Sequence, residues 1–293
     1  DRMGAIIACS VIFARLDCCW TAMDTADLNL PDDSRRFGGI ARLYGDAGRA
    51  RLAAAHVCVV GIGGVGSWAV EALARTGVGR LTLIDLDHVA ESNINRQIHA
   101  ADATLGQAKV EAMRERIAGY NPACRVAVVD DFVTVDNAPQ LLAGGFDYVV
   151  DAIDAVRVKV AMIAVARERG LPLVTCGAAG GQIDPTQIRV DDLARTLQDP
   201  LLAKVRGQLR KAHGFTRDPK KKFGVEAVFS TEPLRYPAPE AACDVAAGAA
   251  GAPGPAGLNC AGFGSVVTVT ACVGMFAAAR VINGLAWGQV SAR

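Results

Sequence analysis

The chain has 293 residues, of which 51% are hydrophobic and 21% are charged, and its formal net charge is +1. This composition is typical of one large α/β domain or of a domain with an appendage, and it excludes a global electrostatic attraction to nucleic acid. The nine cysteines are odd in number and form no C-x-x-C pair, so we expect neither a disulfide framework nor a tetrathiolate zinc site. A reducing cytoplasm is the expected location.

Two apolar stretches need separate interpretations. Residues 1–33 contain a short apolar run (5–14) that resembles the core of a signal peptide, but charged residues follow it closely. We therefore predict that 1–33 is a disordered or spurious extension. Residues 261–279 are uncharged but rich in Gly, Ser and Thr. These small residues favour a strand and a helix packed in a core, so a membrane span is not expected.

The stretch that organises the chain is 57–87. It predicts a buried strand (57–60), a glycine-rich turn, a helix (65–75) and a second strand (81–84) that ends at Asp85. The turn contains Gly61, Gly63, Gly64 and Gly66. Glycine lets the backbone approach a ligand closely. This order predicts a nucleotide-binding βαβ unit with phosphates at the helix N-terminus and Asp85 on a ribose hydroxyl. NAD and ATP both remain open at this point.

The rest of residues 34–185 alternates between helical and strand patterns. The lead-in before the first strand predicts short helices. The later elements predicted are a helix at 107–118, a strand at 125–129, a helix at 138–142, a strand at 148–150, a helix at 158–169 and a strand at 173–176. This alternation predicts an α/β fold with a doubly wound, mostly parallel Rossmann-like sheet.

Residues 186–293 are predicted to form an α+β C-terminal extension that completes the same domain, with strands at 188–190 and 225–230 and a helix at 200–212. Its segment 206–223 is interpreted as a basic loop, which favours a phosphate backbone, although an ordinary solvated loop has the same composition. Residues 236–257 are rich in Pro, Gly and Ala, so we expect them to be mobile. Cys243 lies there and is the best placed candidate for a reactive thiol, but a packing role is favoured for all nine cysteines.

Polar residues follow the strands at the rim where ligands bind in open sheets. Asn93, Arg96 and Gln97 come after the Asp85 strand, and Lys109 and Asp154 come after later turns. Arg96 offers a planar fork of donors for phosphate oxygens, Lys109 adds a second cation, and Asp154 could hold Mg²⁺ between phosphates. Each residue alone could be a surface charge or a helix cap. Together they favour ATP over NAD.

The motifs GIGGVGSW, LIDLDHV, SNINRQ, GQAKVE and DAID resemble the adenylation signature of the ubiquitin-activating-enzyme-like superfamily, which includes the ThiF and MoeB proteins. The resemblance covers residues 36–181 and implies that a carboxylate attacks the α-phosphate of ATP, giving an acyl-adenylate and pyrophosphate. It implies catalytic roles for Arg96, Lys109 and Asp154, with Mg²⁺ on Asp154. The implied ATP-binding residues are Gly61, Gly63, Gly64, Gly66, Ser67, Asp85, Asp87, Asn93 and Gln97.

Departures from that signature indicate a branch. Relatives that activate sulfur-carrier proteins generally bind zinc through paired C-x-x-C motifs, which this chain lacks, and place an arginine where it has Gly38 and Gly39. The segments RFGGIARLYG, GAAGGQIDPTQI, DLARTLQDPL, FSTE and CAGFGS instead resemble the bacterial tRNA threonylcarbamoyladenosine dehydratase family.

This second resemblance implies ATP-dependent dehydration and cyclisation of N6-threonylcarbamoyladenosine at tRNA position 37. It also implies a homodimer and leaves room for a sulfur-relay partner protein. The alternative functions are adenylation of a ubiquitin-like sulfur-carrier protein at its C-terminal carboxylate, an NAD-binding oxidoreductase, and a non-catalytic scaffold that keeps a nucleotide site.

Overall fold

A computed structural model describes residues 32–236 and 263–288. Of the disordered or spurious extension predicted at 1–33, residues 1–31 lie outside the described part of the chain, while Asp32 and Asp33 are the N-cap and first residue of the first helix. Of the mobile stretch predicted at 236–257, residues 237–257, which include Cys243, also lie outside it.

Within these described residues, seven strands form one sheet in the order β3-β2-β1-β4-β5-β7-β6. They are β1 (His56–Val60), β2 (Arg80–Ile84), β3 (Arg125–Val129), β4 (Tyr148–Asp151), β5 (Leu173–Cys176), β6 (Ile188–Asp192) and β7 (Glu226–Ser230). All neighbouring strands are parallel except β6, which runs antiparallel to β7. The central strands β4 and β5 are buried along their whole length, as expected when helices cover both faces of a parallel sheet. The doubly wound, mostly parallel sheet is confirmed.

Helices cover the two faces of this sheet. They are α1 (Asp33–Ala54), α2 (Gly66–Arg75), α3 (Lys109–Ala118), α4 (Ala138–Leu141), α5 (Val156–Glu168), α6 (Pro200–Ala212) and α7 (Val267–Trp287). Residues of α1, α2, α3 and α7 pack in the core on one face. Residues of α4, α5 and α6 pack in a second core on the other face. The sheet thus separates two hydrophobic layers.

Helix α7 answers the question raised by the apolar C-terminal stretch. By length and composition it could span a membrane, with a mean hydropathy of 1.5. One stripe of it, including Val269, Val273, Ala277 and Val281, is fully or almost fully buried in the main core, which is how a core helix packs. The prediction of a strand before this helix is wrong. Residues 263–266 are not a strand, and their carbonyls accept bonds from two separate loops, those of Gly181 and Asn95.

Two further sequence predictions need correction or refinement. Residues 206–212 belong to α6, so the basic segment 206–223 is a helix end followed by a loop. The lead-in Asp33–Ala54 is helical on both sides of a kink at Gly45, whose φ is 72°. Glycine adopts this left-handed conformation without the penalty that a Cβ imposes, so the expectation of short helices before β1 holds.

Candidate active site at the carboxyl edge of the sheet

The carboxyl ends of β1, β2, β4 and β5 meet at one edge of the sheet, called here the carboxyl edge; the opposite one is the amino edge. From β1 the chain continues through α2 on one face, and from β4 it continues through α5 on the other. Such a reversal opens a crevice outside the carboxyl ends of the two strands, and ligands of open α/β sheets bind there. The predicted site residues follow these strands.

The glycine loop (residues 61–66) is closely packed on its inner side. A Cβ at Gly61 would lie 2.9 Å from Ile153 Cγ2, and a Cβ at Gly66 would lie 1.7 Å from the Gly61 carbonyl oxygen. At Gly63 a Cβ would meet none of the described residues within 4 Å, so none of them closes this part of the loop. In the described part of the chain, no side chain caps the N-terminus of α2. A helix N-terminus beside an open glycine turn can accept a phosphate group.

Asp85 follows β2 and is fixed beside the glycine loop. Its Oδ2 accepts a hydrogen bond from the Ile62 amide at 2.6 Å, and its Oδ1 accepts one from the Asp87 amide at 2.9 Å. Burial raises the pKa of Asp85, while the charge of Lys109 opposes that rise. The carboxylate is thus held in one orientation, with lone pairs left for a hydroxyl donor. This geometry fits a ribose.

Lys109 and Asp87, two predicted site residues, form an ion pair. Their side chains are 2.6 Å apart, with the lysine buried and the aspartate more than half exposed. The Lys109 amide also donates to the Asp87 carbonyl at 3.0 Å. The Lys109 ammonium group therefore lies at the start of α3, paired with the solvent-exposed carboxylate of Asp87. A bound polyphosphate could share this lysine with Asp87.

Arg96 lies against the glycine loop. A Cβ at Gly64 would be 3.3 Å from both Cγ and Cδ of Arg96. Its Nη1 donates to the Ser92 carbonyl at 2.6 Å and to Asn95 Oδ1 at 2.8 Å. Trp68 Nε1, on α2, donates to the Arg96 carbonyl at 2.9 Å. Burial lowers the pKa of Arg96, but an arginine remains charged at neutral pH.

Several buried polar atoms near this edge have no hydrogen-bond partner among the described residues. They include Ser67 Oγ, Gln97 Oε1 and both ring nitrogens of His99. Burial lowers the pKa of His99 to about 4, so its ring is neutral near pH 7. Leaving such groups without a partner costs free energy, which makes each one informative. Ser67 and Gln97 were predicted from the sequence to bind nucleotide, whereas His99 was not. Asn93 differs, because its Oδ1 accepts from the Ala90 amide at 3.1 Å and shapes its own turn.

Asp154 lies in the turn between β4 and α5, at the same edge, and it is exposed. Within residues 32–236 and 263–288, no three His, Cys, Asp or Glu side chains converge as a metal site. A divalent cation at Asp154 would therefore take its other ligands from phosphates and water, which is the usual way that Mg²⁺ binds. The residues fit a metal that arrives with a nucleotide.

Sequence reasoning missed the buried residues that support this turn. Asp151 and Lys159 form an ion pair, and the side chains of both are 0% exposed. Lys159 lies on the inward stripe of α5, next to Val160 and in phase with Ile163. A lysine in phase with buried apolar residues was the available signal, because such a position demands a buried partner.

The basic segment is divided between structural and exposed cations. Arg210 packs over the Phe223 ring, with 5.2 Å between its Cζ and the ring centroid, and Arg206 donates to Thr196 Oγ1. The side chains with free access to solvent are Lys211, Arg217, Lys220, Lys221 and Lys222. Because β7 runs parallel to β5, the loop that enters β7 (residues 213–225) lies at the amino edge. It is thus separated from the glycine loop by the length of a strand.

Comparison with known proteins gives a consistent result. The model of the ThiF family matches residues 37–287. The tRNA threonylcarbamoyladenosine dehydratase of Escherichia coli (strain K12) is 56% identical over 250 residues, covering 85% of this chain and 92% of that protein. The protein of the same description from Haemophilus influenzae is 50% identical over 252 residues, covering 86% and 93% of the two chains.

A solved structure agrees with these relatives. The crystal structure of E. coli tRNA N6-threonylcarbamoyladenosine dehydratase in complex with ATP superimposes with a TM-score of 0.77 and 51% identity, and covers 87% of this chain and 96% of that one. The resemblance inferred from the motifs is confirmed.

Proposed function

The chain belongs to the ThiF family, and from that premise we propose that it uses ATP to activate the carboxylate of N6-threonylcarbamoyladenosine in tRNA and closes a ring with net loss of water. The observation that carries the proposal is the convergence of Asp85, Lys109 and Arg96 around an open glycine loop. It occurs in a chain 56% identical to a protein described as a tRNA threonylcarbamoyladenosine dehydratase.

ATP supplies an electrophilic α-phosphorus and a good leaving group, pyrophosphate. Asp85 binds a ribose hydroxyl, and the N-terminus of α2 receives phosphate oxygens. Arg96 and Lys109 stabilise the negative charge that develops on pyrophosphate as the bond to the α-phosphorus breaks. Positioning the two reactants in one crevice supplies much of the remaining acceleration.

Ring closure follows from the balance of atoms. The carboxylate oxygen bonds to the α-phosphorus as pyrophosphate leaves. A nucleophile within the same threonylcarbamoyl group then bonds to the activated carbonyl carbon and displaces AMP. The oxygen lost from the carboxylate departs with AMP, and a proton is released, so the sum is loss of water. No enzyme thiol is required, which agrees with the burial of Cys58 and Cys176 and with their pKa values, which burial raises to about 12.

We include Mg²⁺ in this proposal, held by Asp154 and the phosphates. A homodimer, a sulfur-relay partner and a cytoplasmic location stay predictions. The alternative of sulfur-carrier activation is disfavoured, since the chain lacks paired C-x-x-C motifs and matches the E. coli and H. influenzae dehydratases along almost their full length.

The test of the proposal is AMP release measured with three substrates. Transfer RNA that carries threonylcarbamoyladenosine should give turnover. The same tRNA without the modification should bind but give no AMP, because only the modification supplies the carboxylate. Turnover with a ubiquitin-like protein ending in Gly-Gly, together with none for modified tRNA, would overturn the assignment.

The exposed lysines of the amino edge test the RNA part of the proposal. Neutralising Lys220, Lys221 and Lys222 together should weaken tRNA binding and flatten its salt dependence, since lysines displace counterions from phosphates. ATP affinity should not change, because a strand of this length separates the two edges by roughly 15 Å. An unchanged salt dependence of tRNA affinity would remove these lysines from the RNA surface.

A further inference from the structure

A closed polar network lies beneath the candidate active site. Lys159 Nζ is 2.8 Å from Asp151 Oδ1 and also donates to Thr175 Oγ1 at 3.1 Å. Thr175 Oγ1 in turn donates to Asp151 Oδ2 at 2.7 Å. All three side chains are fully buried. The network links the last residue of β4, the first turns of α5 and strand β5.

Stability alone does not account for such a network. Removing two charges from water costs several kcal/mol per ion, and their mutual attraction repays that cost only when the geometry is very good. Replacing a buried ion pair by apolar residues of similar volume is often neutral or stabilising. The presence of a buried Asp151–Lys159 ion pair beside the apolar residues of α5 therefore calls for another reason.

The position of the network supplies that reason. Asp151 immediately precedes the turn 152–155, which carries Asp154. Asp151 Oδ1 accepts a hydrogen bond from the Ile153 amide at 3.4 Å, and Lys159 Nζ donates to the Asp151 carbonyl at 3.4 Å. The turn is thus held from its beginning and from the helix that follows it.

The same turn packs on the glycine loop. The Ala152 amide donates to the Val60 carbonyl at 2.9 Å, which joins the turn to the end of β1. A Cβ at Gly61 would lie 3.0 Å from the Ala152 carbonyl oxygen, so the two segments are in direct contact. A shift in the turn would therefore change the distance between Asp154 and the bound phosphates.

We propose that Asp151, Lys159 and Thr175 form a positioning network that fixes Asp154 relative to the glycine loop, so that Asp154 and the phosphates bind one Mg²⁺ together. The network touches neither nucleotide nor metal. This inference rests on the proposed function, since it needs ATP to bind at the glycine loop and Asp154 to face the metal.

The first test changes one hydroxyl group. Thr175→Val keeps the shape of the side chain and removes its hydrogen bonds with Asp151 and Lys159, while Thr175→Ser retains the hydroxyl. Calorimetry of ATP binding with and without Mg²⁺ measures the gain in affinity that the metal gives. We expect Thr175→Val to reduce this gain severalfold and Thr175→Ser to restore it. Loss of supporting contacts around a metal site typically costs about tenfold to a hundredfold in metal affinity or activity, and this variant removes only the contacts of one hydroxyl group.

Tyr120→Phe is the matched control. Tyr120 Oη donates to Glu71 Oε2 at 3.0 Å, so this variant also removes one hydroxyl donor from a buried carboxylate. It lies on the α2–α3 side, away from the Asp154 turn. The Mg²⁺-dependent gain should be unchanged in Tyr120→Phe. An equal loss in both variants, or no loss in Thr175→Val, would overturn the proposal.

The second test replaces the whole network. The combined variant Asp151→Leu, Lys159→Met, Thr175→Val should melt close to the wild-type temperature, because both charges of the pair are removed together. The buried Asp199 carboxylate loses the nearby charge of Lys159 but keeps the amides of Ala178 and Leu202 as hydrogen-bond donors. Its Mg²⁺-dependent gain in ATP affinity and its kcat should both fall about tenfold or more. If the combined variant does not fold, the Thr175 variants still decide the question.

A thermodynamic cycle with Asp154→Asn shows whether the network acts through Asp154. If it does, Thr175→Val should cost little further affinity once Asp154 is already changed. Additive losses would show that the network acts elsewhere, and a wild-type ATP affinity that does not depend on Mg²⁺ would overturn the inference outright. These binding measurements need no tRNA. A failure of AMP release with modified tRNA would therefore count against the proposed function and not against the network.

Discussion

The two edges of the sheet differ in the hydrogen bonding of their polar groups. Two cavities of about 840 and 380 Å³ lie at the amino edge, and polar side chains that line them have partners: Arg51 Nε donates to the Ala286 carbonyl at 2.9 Å, and Asp147 accepts from the His56 amide at 2.8 Å. At the carboxyl edge, Ser67 Oγ and Gln97 Oε1 are buried and have no hydrogen-bond partner among residues 32–236 and 263–288. The chemically incomplete edge is therefore the better candidate for the active site.

The amino edge has a different character. It carries the basic loop 213–225 and arginines such as Arg49, Arg51, Arg125 and Arg169, which line the two cavities. Such a surface can attract an extended polyanion without ordering any reactive group. We infer that the reaction takes place at the carboxyl edge and that the amino edge anchors the substrate. The following predictions test that comparison.

The largest expected effect is a difference in kcat between variants of Arg96 and Arg169. Arg96→Ala should lower kcat about a hundredfold or more, since the role proposed for Arg96 is to stabilise the charge of the departing pyrophosphate. Arg169→Ala, at the amino edge, should leave kcat unchanged because this side chain is exposed and remote from the glycine loop. Steady-state kinetics with modified tRNA gives both values. Equal kcat losses would show that the edges are not functionally distinct.

The second prediction compares the contributions of His99 and His56 to the pH dependence of stability. Unfolded histidine binds a proton near its usual pKa of 6.5, whereas burial lowers the pKa of His99 to about 4. Between these values the unfolded state binds the proton, so stability falls as pH falls, by about 3 kcal/mol in total. His99→Gln should remove most of this pH dependence. His56→Gln should remove less, because His56 is half-buried and bonded to Thr82. Denaturant unfolding between pH 7 and pH 4 measures the free energy of unfolding of each variant. If the pH dependence in His99→Gln equals that of the wild type, the prediction is contradicted.

A third comparison uses two aspartates. Asp85→Ala should raise the Kd for ATP about tenfold to a hundredfold, because a hydrogen bond to a charged group contributes about 1.5–3 kcal/mol. The effect should appear in KM more than in kcat, since a ribose contact is equal in the ground and transition states. Asp147→Ala, at the amino edge, should not change ATP affinity. Calorimetry that gives the same Kd for Asp85→Ala and wild type would remove Asp85 from the site.

The smallest effect concerns two buried serines. Ser67 Oγ has no partner among the described residues, so Ser67→Ala should not lower the melting temperature but should weaken ATP binding about fivefold. Ser230 Oγ accepts from the Glu232 amide at 3.0 Å, so Ser230→Ala should lower the melting temperature and leave ATP affinity unchanged. The opposite pattern would mean that the orphan hydroxyl is not a ligand-binding group.

Predictions from hydrophobic pattern succeeded where the pattern was strong. Strands β3 and β5 and helix α6 have the bounds that the sequence indicated. The strand expected before α7 failed because small and apolar residues there form irregular chain held by two distant loops. Local composition does not reveal partners that are distant in the sequence.

For the site, the sequence by itself determined the glycine loop and Asp85, because strand, turn, helix and strand follow each other directly and their spacing fixes the local backbone. Only the tertiary structure decided which charges are paired. Lys109 meets Asp87 across 22 residues, and Lys159 meets Asp151 inside a core. Pairing of this kind depends on how helices pack against strands, and burial then sets its energy. Tertiary structure also placed the basic loop at the amino edge, because strand direction in the folded sheet determines where each connecting loop lies.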